Sequence, residues 1–176
     1  MRINISKLAT KCLEDIYKYL DGEHISLDYI YEIILDMLSE VYSLTAAAAK
    51  SIYNIKNEPL DDEDIEKLTY SKDGKSILKR LQEHYNEAKK RDNFKEYFFN
   101  RIVLIVDTES LSISNAVIHG KMKKDAKYVE VISGSEYCAE GDCEYWQSKG
   151  KIPIEDLTEL PPYHPDCECE VIYYFE

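Results

Sequence analysis

The sequence lacks a hydrophobic segment of membrane-spanning length. No apolar run approaches the roughly 20 residues that a transmembrane helix requires. The N-terminal stretch MRINISKLATKCLEDIYKYL also lacks the apolar centre and the small-residue cleavage site of a secretory signal peptide. We therefore expect a protein without a membrane partner, whose cysteines stay reduced and serve metal binding or packing rather than a disulfide framework.

Basic residues are scarce in the second half of the chain. The whole chain carries 22 basic and 34 acidic residues, a net charge of −12, and residues 101–176 account for 7 basic and 15 acidic residues, or −8. The only basic cluster is the short HGKMKK at 119–124. Phosphate binding requires clustered Lys and Arg, so we expect no specific binding of nucleic acid.

Two zinc-enzyme motifs are absent, and a third enzyme pattern is only approximated. H-E-x-x-H does not occur, and no histidine is followed at the second position by the glutamate that zinc deaminases require. ADP-ribosyltransferases resemble an arginine, then S-T-S, then E-x-E. Arg101, SIS at 112–114 and ECE at 168–170 approximate that order, but the serines fall inside a predicted helix.

Helical periodicity dominates the first hundred residues. Apolar side chains recur every three or four positions over Ile5–Leu20, Leu27–Ile55 and Ile77–Ala88, the spacing of one helix face. Ser26 is suited to cap the second and longest of these helices, and an acidic run after Pro59 predicts a short additional helix. Residues 91–121 are apolar on two faces, which predicts a buried central helix.

Alternating strand patterns replace the helical spacing after Gly120. Residues 126–134, 150–157 and 167–175 predict short strands. The predicted fold class is α+β, with a helical N-terminal half containing a long amphipathic helix. A small C-terminal unit of a helix and antiparallel strands carries a Cys/His cluster. We divide the chain into a helical arm or bundle at 1–90 and a C-terminal domain at 91–176.

The Cys/His cluster has the spacing of a metal site. Cys138 and Cys143 form C-x4-C in a turn-like stretch, and His164, Cys167 and Cys169 form H-x2-C-x-C. Two close pairs separated by a short excursion are typical of a tetrahedral zinc site, so we predict one structural zinc ion with one ligand candidate to spare. A disulfide such as Cys138–Cys143 and simple burial of the thiols remain open as alternatives.

The last two cysteines lie where the third predicted strand begins. Cys167 and Cys169 are two positions apart, and we expect both to bind one metal only if the backbone bends there. Cys12, on the apolar side of the first predicted helix, is expected to be a core residue.

A strip of polar residues runs along the central helix. Thr108, Ser112 and Asn115 lie at helical spacing, with Glu109 beside them. Buried polar groups need hydrogen-bond partners, so another part of the chain should face this strip. We expect Glu109 to accept backbone N–H groups from the cysteine turns and thus to hold the C-terminal unit against the helix.

Three stretches taken in order resemble the phage Mu F-like head morphogenesis, or minor head protein, family. RIVLIVDTESLSISNAVIHG resembles an R-x3-I-x2-T-E-x5-N helix, and YCAEGDCEYWQSKGKIPIEDL resembles a cysteine pair followed by a Gly-Lys turn. LPPYHPDCECEV resembles a P-P-x-H-P-N-C-x-C ending. The chain departs from the family pattern in its C-x4-C, usually C-x2-C, and in Asp107, Asp166 and Glu168, which replace Arg, Asn and Arg.

The resemblance implies a structural protein of a tailed bacteriophage rather than an enzyme. Members are minor virion proteins that join the head near the portal, in few copies. For this chain the resemblance implies binding to the portal, the major capsid protein or both, with assembly in the bacterial cytoplasm, residence in the virion head and a role in genome delivery. By position, Arg101, Thr108, Glu109 and Asn115 would form the polar signature of the helix. The alternative function is a small zinc-binding effector, or an ADP-ribosyltransferase-like enzyme, packaged with the genome.

Overall fold

The protein has a helical half followed by a small unit of helix and sheet. The computed structural model describes residues 5–22, 24–53, 75–139 and 141–176. The predicted α+β class is confirmed, whereas the short helix predicted after Pro59 lies outside the described residues. The helices are α1 Ile5–Tyr19, α2 Leu27–Tyr53, α3 Ile77–Ala88, α4 Phe94–Met122 and α5 Gly141–Ser148. The strands are β1 Tyr128–Ile132, β2 Ile152–Pro153 and β3 Glu170–Tyr174, and short 3-10 helices span Glu136–Cys138 and Ile154–Asp156.

Two of the helices begin at a serine that caps them. The Ser26 hydroxyl accepts a hydrogen bond from the backbone N–H of Tyr29 at 3.3 Å, at the start of α2. The Ser76 hydroxyl accepts one from the N–H of Lys79 at 3.3 Å, at the start of α3. Each bond satisfies one of the N–H groups that the first helical turn leaves without an internal partner.

The larger hydrophobic core lies where α4 meets the three preceding helices. Ile16 of α1, Ile34 of α2, Leu81 of α3 and Phe98 of α4 are fully buried there. Since α4 is apolar on more than one side, it contacts α1, α2 and α3, as the sequence predicts for a central helix. Charged contacts add to this packing at the rim, where Lys95 pairs with Asp21 at 2.5 Å.

Helix α4 combines length and apolarity to an unusual degree. Among the described residues it is the helix that is long and apolar enough, by length and composition, to cross a membrane. The sequence analysis was therefore wrong to find no segment of that length and apolarity. Half of its most apolar stretch is buried inside the protein. A central core helix meets the same two criteria, because it too must be apolar on most of its surface.

A second, smaller core lies beneath the three-stranded sheet. The strand order is β2-β1-β3, with both pairings antiparallel, and Val129 of β1 lies opposite Tyr173 of β3 and Ile152 of β2. Val129 and Val131 are buried on the inner face of β1, where they pack with Trp146 of α5 and with the cysteines. The alternation predicted for 126–134 is therefore confirmed, but in the segment predicted as a strand at 150–157 only Ile152–Pro153 is paired.

The end of α4 joins the two cores. The Asn115 side-chain amide donates a hydrogen bond to the carbonyl oxygen of Pro161 at 2.8 Å, and His119 Nδ1 lies 3.2 Å from the Tyr173 hydroxyl. The larger core runs from Ala9 to Val117 in the chain. It therefore continues across residue 90, so the predicted division at that point separates α3 from a helix with which it shares a core.

Candidate metal centre

Four cysteines come together beside the sheet. Cys138 ends a 3-10 helix, Cys143 lies in the first turn of α5, and Cys167 and Cys169 lie in the segment before β3. Their four sulfur atoms all lie within 4.8 Å of one another, and all four side chains are buried. Four thiols at this separation can bind a metal ion, so the predicted clustering of these cysteines is confirmed.

Cys167 and Cys169 lie between a tight turn and strand β3. Strand β3 begins at Glu170, one residue after Cys169. Before Cys167, Asp166 adopts a left-handed conformation with φ of 62°, and the N–H of Cys167 bonds to the carbonyl of His164 at 3.1 Å. A bend thus precedes the two cysteines, but it is not required for both to face one metal, because residues i and i+2 of a strand share one face.

One sulfur–sulfur distance matches the geometry of a tetrahedral thiolate site. The Cys143 and Cys167 sulfurs are 3.8 Å apart. In a regular tetrahedron with metal–sulfur bonds of about 2.3 Å, as for zinc, the sulfurs are separated by about 3.8 Å. That distance is far longer than the roughly 2.05 Å of a disulfide bond, and the five cysteines, all within the described residues, form no disulfide.

Hydrogen-bond donors point at two of the sulfurs. The backbone N–H of Glu168 donates to Cys138 Sγ at 3.3 Å, and the Ser135 hydroxyl lies 3.7 Å from the same sulfur. The Gln147 side-chain amide lies 3.6 Å from Cys169 Sγ and also donates to the Cys138 carbonyl at 2.6 Å. Such donors stabilise negative charge on thiolates and orient metal ligands, so Gln147 connects α5 to both cysteine pairs.

The thiols differ in how easily they lose a proton. Burial raises the pKa of Cys138, but the Glu168 N–H and the Ser135 hydroxyl outweigh burial and lower that pKa to about 7. Burial and the adjacent Cys167 raise the pKa of Cys143 to about 12, and the same two causes raise that of Cys169. Crowded thiolates repel one another, so a bound cation is what would allow all four to be ionised at neutral pH.

His164, the fifth predicted ligand, lies beside the four-cysteine group and is not part of it. Its Nδ1 atom lies 2.6 Å from the carbonyl oxygen of Pro165. Because a carbonyl only accepts, this contact places a proton on Nδ1. The Nε2 atom is buried without a hydrogen-bond partner at bonding distance among the described residues, although the ring helps to lower the pKa of Cys138.

Gly134 is a residue of the site that the sequence analysis missed. It follows β1, and a Cβ atom added there would lie 1.9 Å from the carbonyl oxygen of Glu168. No side chain fits at that distance, so the turn after β1 can approach the C-x-C segment only with glycine. The signal that could have found it is a glycine four residues before Cys138, where the backbone enters the cluster.

The five residues of the predicted polar strip have separate roles. Thr108 and Glu109 are buried, Ser112 is half-buried, and the Arg101 guanidinium lies 5.2 Å from the centre of the Tyr97 ring. The Asn115 side chain makes a hydrogen bond from the strip to the C-terminal unit, at the carbonyl of Pro161.

Glu109 forms an ion pair that the sequence analysis did not anticipate. We expected it to bond to the cysteine turns, but its charged partner is Arg80 of α3. The Glu109 side chain is fully buried and that of Arg80 is 13% exposed. The pair therefore holds α3 against α4 within the helical half, whereas the predicted contact was with the cysteine turns of the C-terminal unit.

The residues of the transferase-like pattern lie in different kinds of structure. Ser112 and Ser114 are in the middle of α4, where the Ser114 hydroxyl bonds to the carbonyl of Ser110 at 2.7 Å. Glu168 and Glu170 are exposed residues on either side of Cys169. The serines are thus helical, as the periodicity of the sequence predicts.

Comparisons of the chain with protein-family models, with curated proteins and with solved structures found no match.

Proposed function

We propose that this chain is a structural minor head protein of a tailed bacteriophage, and that one zinc ion on Cys138, Cys143, Cys167 and Cys169 holds its C-terminal unit together. The observation that carries the proposal is the convergence of C-x4-C and C-x-C on one group of four buried sulfurs. The same two motifs carry the resemblance to the Mu F-like family.

Zinc is the metal that best fits four thiolates. Tetrahedral sites of four sulfurs take zinc or iron, whereas magnesium, calcium and manganese prefer oxygen ligands. Closed four-cysteine sites are structural, because catalytic zinc keeps one position open for water or substrate. The N–H and O–H groups aimed at Cys138 and Cys169 would offset part of the negative charge of such a site.

A structural role for the metal agrees with the small size of the C-terminal core. The ion would connect the 3-10 helix after β1, the start of α5 and the segment before β3, and the core of this unit contains few buried side chains other than the cysteines. Small units with thin cores commonly need a metal or disulfides for stability. Asn115 and His119 then fix the assembled unit to the end of α4.

The charge of the C-terminal unit suits a protein that lies close to packaged DNA without binding it. Residues 128–176 contain 12 acidic and 2 basic side chains, a net charge of −10, and like charge repels the phosphate backbone. We place the protein in the virion head, bound to the portal, the major capsid protein or both, after assembly in the bacterial cytoplasm. Retention of duplex DNA by the purified protein at physiological salt would contradict this part of the proposal.

Particles made in the bacterial host test the proposal directly. Quantitative mass spectrometry of purified heads, with the portal as internal standard, should find a few to a few tens of copies of this chain. Cys143→Ser should reduce incorporation, whereas Cys12→Ala, which changes a buried cysteine outside the cluster, should not. Absence of the chain from both procapsids and mature virions would overturn the head-protein proposal.

Metal analysis and one further variant separate the zinc proposal from the enzymatic alternative. The purified protein should contain one zinc ion per chain by elemental mass spectrometry, and Cys143→Ser should lose it. Glu170→Gln should leave incorporation into particles unchanged, because Glu170 is exposed and outside the four-sulfur group. NAD turnover that this variant abolished would instead favour a transferase.

A further inference from the structure

The two edges of the three-stranded sheet differ in how well they are protected against pairing with a further strand. Strand β2, at one edge, has only two residues and one of them is Pro153, both features by which proteins prevent unwanted pairing at a sheet edge. Strand β3, at the other edge, has five residues, Glu170–Tyr174, with neither proline nor lysine. Among the described elements, β1 is the only one with which β3 makes extended contact. Within the described part of the chain, the outer edge of β3 therefore has no paired strand.

The outer face of the sheet lies beside this unpaired edge and is partly exposed. Tyr128, Glu130, Ile132, Ile172 and Tyr174 form the outer face, as the register of β1 and β3 requires. Ile172 is 38% exposed and Tyr128 is 37% exposed. The Tyr174 hydroxyl donates to the Glu130 carboxylate at 2.6 Å, which fixes its ring. Lys151 Nζ lies over this face, 4.9 Å from the centre of the Tyr128 ring and 4.3 Å from that of the Tyr174 ring. A strand added beside β3 would extend this mixed aromatic and aliphatic surface.

The charges around β3 oppose pairing with a second copy of this chain. In an antiparallel pair centred on Ile172, Glu168 of one copy would face Glu176 of the other. In the register centred on Tyr173, Glu170 would face Glu176. Like charges directly opposite one another destabilise a strand pair, and the chain as a whole carries −12. The same carboxylates would attract Lys or Arg at both ends of a partner strand.

We propose that the β3 edge binds an extended segment of another polypeptide, which adds a fourth strand to the sheet. The segment has β-branched residues at its centre, beside Val171, Ile172 and Tyr173, and basic residues at both ends, beside Glu170 and Glu176. Main-chain hydrogen bonds supply the affinity of such strand addition, and the alternating side chains supply its specificity. This inference is independent of the metal and of the head-protein proposal.

Titration of the isotope-labelled full chain with short peptides, followed by NMR, tests the inference. The probe is acetyl-KKVTVTVKK-amide. Its controls are EEVTVTVEE, of opposite charge, and KKVTPTVKK, which keeps the charge but loses a ladder donor at its central proline. We expect the largest shift changes at the amides of residues 170–174. The proline peptide should bind at least about tenfold more weakly, because strands exclude proline from their interior.

Three variants distinguish strand addition from general attraction to an acidic surface. Ile172→Lys places a cation at the middle of the open edge and should abolish binding, whereas Thr158→Lys adds the same charge at an exposed loop position and should preserve most of it. Glu170→Lys should reduce or reverse the difference in affinity between the lysine peptide and the glutamate peptide. Unchanged melting temperatures would establish that the variants fold.

Two results would overturn the inference. One is equal binding of the lysine peptide and the proline peptide, with shifts spread over all exposed carboxylates. The other is no change at residues 170–174 up to millimolar peptide.

Discussion

The helical half and the C-terminal unit obtain their stability in different ways. Among the described residues, the core of the helical half contains 20 buried residues, of which Cys12 is the only cysteine. The core of the C-terminal unit contains 11 buried described residues, and four of them are the clustered cysteines. Thiols are thus a minor part of the first core and more than a third of the second. From this difference we expect the helical half to be stable by apolar packing and the C-terminal unit to depend on its cysteines.

The two halves also use their buried polar groups differently. In the helical half, Glu109 and Arg80 neutralise each other across α3 and α4. In the C-terminal unit, Gln147, Ser135 and the Glu168 N–H are directed at sulfur. The first arrangement balances one positive charge with one negative charge, although Arg80 Nε is buried without a hydrogen-bond partner among the described residues. The second provides donors for thiolates, and thiolates crowded together need a cation.

Removal of the proposed zinc ion should have the largest effect on the difference between the two halves. We expect a chelator, or Cys143→Ser, to unfold the C-terminal unit and to leave the helices folded, since structural zinc contributes on the order of 10 kcal/mol to small zinc modules. The only tryptophan, Trp146, lies in the C-terminal core, so its fluorescence reports on that unit, while circular dichroism at 222 nm reports mainly on the helices. Simultaneous loss of both signals would show that the helical half is not self-sufficient.

Breaking the buried ion pair should have the next largest effect, and in the other half. Glu109→Gln keeps the shape of the side chain but leaves the Arg80 charge buried without its partner, which typically costs about 3–5 kcal/mol. Urea unfolding followed by circular dichroism should detect the loss. Glu87→Gln is the matched control, because Glu87 pairs with Lys90 and Arg91 at the surface, and it should leave the midpoint unchanged. A shift confined to Trp146 fluorescence would contradict the assignment of this pair to the helical half.

Gly134→Ala should lower the stability of the C-terminal unit by a smaller amount. The new methyl group would overlap the carbonyl oxygen of Glu168 and push the C-x-C segment away from Cys138, at a cost of about 1–3 kcal/mol. Gly120→Ala provides the control, since Gly120 is in α4 with open space around it and alanine favours a helix by up to about 1 kcal/mol. The same substitution should therefore lower the stability at Gly134 and raise it at Gly120. Equal changes in melting temperature for the two variants, or an unchanged zinc affinity of Gly134→Ala, would contradict the close approach of Gly134 to the Glu168 carbonyl.

The local periodicity of the sequence was sufficient to predict the helices and the cysteine pairs. α1, α2, α3 and α4 follow from apolar residues at every third or fourth position, and the four-sulfur group follows from the spacing of C-x4-C and C-x-C. These signals lie within short stretches, so a single sequence reveals them. Helix α5 was predicted as a turn, because it is short and begins at Gly141, whose φ is 63°.

Contacts between distant parts of the chain could not be predicted in the same way. The partner of Glu109 is 29 residues away, and nothing near Arg80 in the sequence marks it as a buried cation. The clash at Gly134 likewise depends on Glu168, which only the folded backbone brings close. The sequence analysis expected a bend at the C-x-C segment, but not that Asp166, before Cys167, would make the turn. Each of these features arises from tertiary packing, which local sequence patterns do not predict.

Loss of a hydrogen bond between the two halves should have the smallest effect on stability. Asn115→Ala removes the hydrogen bond to the Pro161 carbonyl and leaves that buried acceptor without its partner from α4, at a cost of about 1–2 kcal/mol. Because the bond joins the two units and lies in neither core, its loss should make the unfolding of the two units less cooperative. The transitions of Trp146 fluorescence and of the helices, recorded in the same denaturant series, should move apart. Tyr173→Phe tests the neighbouring contact with His119 and should have the same effect to a smaller degree. Coincident transitions in both variants would mean that apolar packing at the end of α4, rather than these two polar contacts, couples the bundle to the cysteine unit.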